Sequence, residues 1–159
     1  MFVSDMDIAM ITQDVWRAFV GLEVDGPVPT AEFGRDDHPS CGASIEIGGA
    51  WRGRVVLDCS PVLAGAAAAQ VYGVSPESVD GQMMGELMAE LANQIGGNLK
   101  SLLPQGCQLS LPNPIIGRSD FQRRGLDAVP TDGDPANERH FVSFERDGHR
   151  FDVAILGHT

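Results

Sequence analysis

Glu86, Glu90, Asn93, Gly97 and Lys100 follow one another at spacings of four, three, four and three. On a helix turning about 100° per residue they form a stripe about 80° wide. Carboxylates accept hydrogen bonds or pair with cations, an amide both donates and accepts, and a lysine adds a point charge. Such a row could dock polar groups of another molecule. It reads equally as an ordinary solvated face, where a carboxylate beside an amide is commonplace. Gly97 weighs against the ordinary reading, because an interior glycine costs a helix about 1 kcal/mol relative to alanine. On the exposed stripe no core packing requires it, whereas a missing side chain lets another protein approach closely. Gly96, nearer the buried edge, is expected to permit tight contact with a helix or sheet instead.

No other set of residues forms a recognisable site. Ser60 and Ser110 lie outside any nucleophile-elbow pattern, and His38, His140, His149 and His158 lack metal-ligand spacing. His140 and His149 read as surface or sheet histidines flanking a terminal hairpin. Cys41, Cys59 and Cys107 are far apart and odd in number, so neither a zinc site nor a disulfide framework is expected. Acidic residues number 22 against 11 basic ones, a net charge of −11. That surface repels phosphate backbones and anionic lipid, which argues against nucleic-acid and membrane partners. The opening MFVSDMDIAM lacks a basic n-region and a long apolar run, and no apolar run is long enough to span a bilayer. A cytoplasmic protein with reduced thiols is expected.

The elements that must hold the stripe are legible from periodicity. Asp7 to Val20 reads as an amphipathic helix ending at Gly21, followed to Gly42 by a loop with room for one short strand. ASIEIGGAWRGRVVLDC reads as a hairpin about Gly48-Gly49. Ser60-Pro61 opens an alanine-rich helix that stops at Gly73. After a second start signal at Ser75-Pro76, the stripe-bearing helix runs from about Gly81 to Leu103, with Pro104 beyond it. Its apolar side comprises Met84, Leu87, Met88, Leu91, Ile95, Leu99 and Leu102. CQLSL and PNPIIG follow, then a polar stretch from Arg118 to Asn137. HFVSFE and HRFDVAIL form a last hairpin around Arg146-Asp147-Gly148. Strands at both ends with helices between predict one α+β domain over residues 1–159, its sheet largely antiparallel.

Glu90-Leu91-Ala92-Asn93, followed by Gly97-Asn98-Leu99-Lys100, resembles the ExxN…GnxK signature of the CheC/CheX/FliY group of chemotaxis phosphatases. Pro112-Asn113-Pro114-Ile115-Ile116-Gly117 resembles that group's proline-to-glycine segment, with either proline able to correspond. The opening helix, Ile47 to Gly53 and the alanine-rich helix fit the CheX-like order, so the likeness spans nearly the whole chain. One copy of the helix motif favours the CheX-like branch over CheC, which has two. Glu86 stands where the group often has Asp or Ser.

The resemblance implies a CheC-like fold, with long helices packed on one face of the sheet. It implies a phosphatase acting on the aspartyl phosphate of a CheY-like response regulator. Glu90 and Asn93 would be the catalytic residues, Asn93 positioning the attacking water and Glu90 engaging the receiver's lysine or a nearby backbone group to fix the angle of insertion. Glu86, Gly97 and Lys100 would contact the partner. No cofactor of the chain's own is implied, magnesium being held by the receiver. A homodimer is implied too, with the last hairpin and the Ile45 to Leu57 strands as candidate sheet edges. A non-catalytic response-regulator-binding or assembly module of the same fold is the alternative, separated by whether phosphate lifetime changes.

Overall fold

The computed structural model describes residues 2–29, 40–117 and 138–158. Helix α1 (Asp5–Val15) opens on a capping box: Asp7 N–H donates to Ser4 Oγ at 3.1 Å and Ser4 N–H to an Asp7 carboxylate oxygen at 2.9 Å. It widens into a π turn over Trp16–Val20 and stops at Gly21, whose φ is +81°. This start lies two residues before the one expected. Trp16 is fully buried edge-on to Phe151, ring centroids 5.0 Å apart. The short strand β1 (Asp25–Val28) follows, then β2 (Cys41–Gly48) and β3 (Arg52–Cys59), paired about the Gly48-Gly49 turn.

Helix α2 (Pro61–Tyr72) ends at Gly73 in the left-handed conformation, as its sequence predicts. Helix α3 spans Gly81–Lys100, with Asp80 at its N-cap accepting from Met83 N–H at 2.8 Å. Strands β4 (Gln108–Leu109) and β5 (Asn113–Ile116) come next, then β6 (Glu138–Arg146) and β7 (His149–His158). The β6–β7 turn has positive φ at both Asp147 and Gly148 (52° and 80°), the geometry that matches right-handed strand twist. No described helix is long and apolar enough to cross a membrane.

All pairs among the described strands are antiparallel, in the order β1-β6-β7-β3-β2-β4, with β5 also on β2. The structure corrects the expected edges. Strands β2, β3 and β7 are interior, and β1 covers β6 about Ser143 to Glu145. The short strands β1, β4 and β5, drawn from loop-like sequence, cap the sheet instead. The reason is that unpaired backbone groups on long apolar strands are costly, and even a two-residue strand satisfies some of them.

The helices pack on one sheet face: α1 on β6, α2 on β7, and α3 on β2, β3, β4 and β5. Alternate residues point into that layer, among them Ala43, Ile45, Val55, Leu57, Phe151 and Val153. On the opposite face, Val56, Ile115 and Ala154 form a small buried cluster with Phe141 beside it. Trp51, fully buried, lies over Gly53 and Gly157, register partners on adjacent strands that leave no space for a Cβ.

One core assignment is overturned. Leu102, expected in the core, is 36% exposed, and Leu103 is buried instead. The helix stops at Lys100 and finishes in i→i+3 bonds, Leu102 N–H to Leu99 O and Leu103 N–H to Lys100 O. Helical phase therefore no longer governs which leucine faces inward.

Candidate functional site

Burial divides α3 along its length. Leu87, Met88, Leu91, Ala92, Ile95, Gly96 and Leu99 are buried, while Glu86, Glu90, Asn93, Gly97 and Lys100 are all exposed. All five stripe residues expected from the sequence thus fall on one solvent-facing row. Close packing favours glycine at Gly96, where a Cβ would lie 3.2 Å from Ile45 Cγ2, whereas a Cβ on Gly85 would make ordinary contact, 3.5 Å from Pro114 Cβ. At Gly97 a Cβ would meet nothing within 4 Å, so free space rather than packing surrounds it.

The two carboxylates are held, and by neutral donors. Gln82 Nε2 donates to Glu86 Oε1 at 3.1 Å, and the Tyr72 hydroxyl reaches Glu86 Oε2 at 3.4 Å. Gln94 Nε2 donates to Glu90 Oε1 at 3.2 Å. Each contact restrains a rotamer without cancelling charge, leaving both carboxylates able to meet a cation from outside. The Tyr72 phenol is pushed up from its ordinary value, first by desolvation and then by the Glu86 charge and hydrogen bond. Asn93 and Lys100 form no side-chain hydrogen bond or ion pair with a described residue. Beyond Lys100 the stripe leads into a depression of about 420 Å³ between Gly97 and Lys100 on one side and Leu103 to Cys107 on the other.

Sequence reasoning missed three supporting side chains. Gln82 and Gln94 were legible in principle, each lying four residues from a stripe glutamate. Tyr72 was not, because its reach to Glu86 depends on how α2 meets α3.

The remaining candidates fall elsewhere. His140 is on the sheet as expected but buried, its Nδ1 2.7 Å from Asp5 Oδ1 and its Nε2 2.8 Å from Glu138 Oε2. His149 Nδ1 lies 3.4 Å from Ser60 Oγ, and His38 is outside the described residues. Among the described residues, no cluster of His, Cys, Asp or Glu is fit to hold a metal ion. The three cysteines are buried and unpaired with one another. Burial, with a smaller push from Asp58, raises the Cys41 thiol to about 11, and burial also raises Cys59. Neither is poised as a nucleophile.

The model of the family described as chemotaxis phosphatase CheX matches residues 41–124. Several solved structures share the architecture. The chemotaxis protein CheX from Vibrio vulnificus superposes with a TM-score of 0.74 at 14% identity, covering 99% of both chains. A CheC-like superfamily protein from Shewanella sp. PV-4 gives 0.72 at 16% identity over 100% of both. The CheX–CheY–BeF3–Mg2+ complex from Borrelia burgdorferi gives 0.66 at 16% identity, again over 100% of both. At such identities the likeness establishes the CheC-like α+β fold. No curated protein matches the chain.

Proposed function

The chain belongs to the CheX family of chemotaxis phosphatases, and on that premise we propose that it dephosphorylates the aspartyl phosphate of a CheY-like response regulator, with Asn93 orienting the attacking water. One observation carries this reading. The Asn93 amide is exposed and unengaged by any described residue, on a helix whose opposite face is fixed in the core. The relative from Borrelia burgdorferi is complexed with CheY, BeF3 and Mg2+, which supports a receiver as the partner.

The chemistry asks little of the phosphatase. Water attacks phosphorus in line with the bond to the aspartyl oxygen. The new P–O bond forms as the acyl-phosphate bond breaks, giving inorganic phosphate and the free carboxylate. Positioning and charge stabilisation dominate such transfers, and the receiver brings its own magnesium and lysine. An amide whose oxygen accepts a hydrogen bond from the water and whose NH2 donates elsewhere can set the angle of attack without acting as a base. Glu90, restrained by Gln94, engages the receiver's lysine or a nearby backbone group and fixes the depth of insertion. Glu86 and Lys100 add contacts at either end, and Gly97 clears the approach.

The test is phosphate lifetime on response regulators from the same organism, measured with and without this protein. Shortened lifetimes that revert in Asn93→Ala support the mechanism. Binding of a phosphorylated receiver with unchanged lifetime would make the protein a docking module, and full activity in Asn93→Ala would remove the asparagine from the mechanism. The same reading includes self-association into a homodimer, for which the short flanking strands offer sheet edges. Light scattering at micromolar concentration should return twice the chain mass; a monomer mass throughout that range would eliminate it.

A further inference from the structure

A second charged feature lies on the sheet face away from the helices. Ile45, Ile47, Val55 and Ile155 point into the helical layer, so Glu46, Arg52, Arg54, Leu156 and His158 alternate to the other side. Register joins Arg52 to His158 in one cross-strand row, and Glu46, Arg54, Leu156 and Arg139 in the next. Within these rows Arg52 and Arg54 form no ion pair with any described residue, Glu46 included. Two residues apart on one strand, their Cα atoms lie about 6.5–7 Å from each other. Their guanidinium groups repel one another, and a single carboxylate can neutralise only one. In a chain of net charge −11 this is an unusual place to leave cations unmatched.

Glu46, Arg52, Arg54, Leu156 and His158 line a depression of about 610 Å³, with the Gly48-Gly49 turn along its rim. That size falls in the range of small-molecule sites. A Cβ on Gly48 would meet nothing within 4 Å, so the rim is open at that residue. Leu156, 8% exposed, supplies an apolar side chain within the second row, beside Arg54. Planar N–H forks on the same sheet face as one apolar side chain match a group that carries phosphate at one end and a flat or apolar body at the other. We propose that this depression binds a small phosphorylated anion of mononucleotide size, held through Arg52 and Arg54. The site is independent of the phosphatase reading, because it shares no residue with the α3 stripe.

Isothermal titration of the full chain at matched ionic strength, with AMP, inorganic phosphate and adenosine as probes, tests it. AMP is expected to saturate with Kd below about 1 mM, and Arg52→Gln/Arg54→Gln to weaken it about tenfold or more. Amide resonances of Gly48, Gly49 and Gly53 in the wild-type chain should shift with AMP, a readout that does not depend on the variant folding. Failure of AMP to saturate by about 10 mM, equal affinity in the double variant, or shifts confined to other regions would overturn the site. Adenosine binding as tightly as AMP would remove the phosphate from recognition. Inorganic phosphate binding as tightly as AMP would remove the mononucleotide size.

Discussion

Helix α3 has two faces built to opposite rules. On the inner face Leu87, Met88, Leu91, Ile95 and Leu99 are buried, and glycine appears where the sheet comes close, as at Gly96 over Ile45. On the outer face the glutamates are restrained by neighbouring amides and a phenol, while Asn93 and Lys100 have no described partner. The inner face spends its chemistry inside the protein, and the outer face withholds it. A helix with both is a rigid platform for an intermolecular site. Substitutions on the two faces should therefore separate stability from activity.

The largest expected effect is on the inner face. Leu91→Ala removes a fully buried side chain from between α3 and the sheet and should cost about 2–5 kcal/mol of stability, read by urea unfolding. Activity of the fraction still folded should stay near wild type. Asn93→Ala should invert that pattern. It should reduce receiver dephosphorylation about 10²-fold or more, while the unfolding midpoint stays level or rises because alanine is the better helix former. If both variants lost stability and activity together, the two faces would not be functionally distinct.

Much of this division was legible from period alone. The stripe and the inward leucines follow from a 3.6-residue repeat, and the hairpins from glycine turns between alternating strands. What escaped depended on long-range partners. The one short strand allowed for before Gly42 takes its position from its partner β6, because DGPV carries no strand signal of its own. Leu102 failed because the helix ends one turn before Pro104, which no local residue marks. The burial of His140 came from Asp5 and Glu138, the former 135 residues away. Tyr72 likewise joined the site through tertiary packing.

Glu90→Ala should act on docking rather than on the chemical step. Its defect should shrink as protein concentration rises, appearing in KM more than in kcat. Tyr72→Phe should do the same more weakly, since it removes only one of the two described hydrogen bonds on Glu86. A fall in kcat at saturation for either variant would move that residue from docking into catalysis.

The finest test uses neighbouring glycines on opposite faces. Gly97→Ala adds a methyl group into open space and should stabilise the free protein by up to about 1 kcal/mol, because alanine favours the helix. Gly96→Ala gains the same propensity, but its Cβ would press on Ile45 Cγ2 at 3.2 Å. The gain should shrink or reverse there, because the sheet beneath is closely packed. Binding should order the two differently. Gly97→Ala should weaken the receiver complex, since the methyl group lies on the face that must be approached, and Gly96→Ala should leave affinity unchanged. Thermal unfolding and titration with a phosphorylated receiver read these signs separately. If Gly97→Ala stabilised the chain and bound as tightly as wild type, the open space beside Asn93 would be no part of the interface.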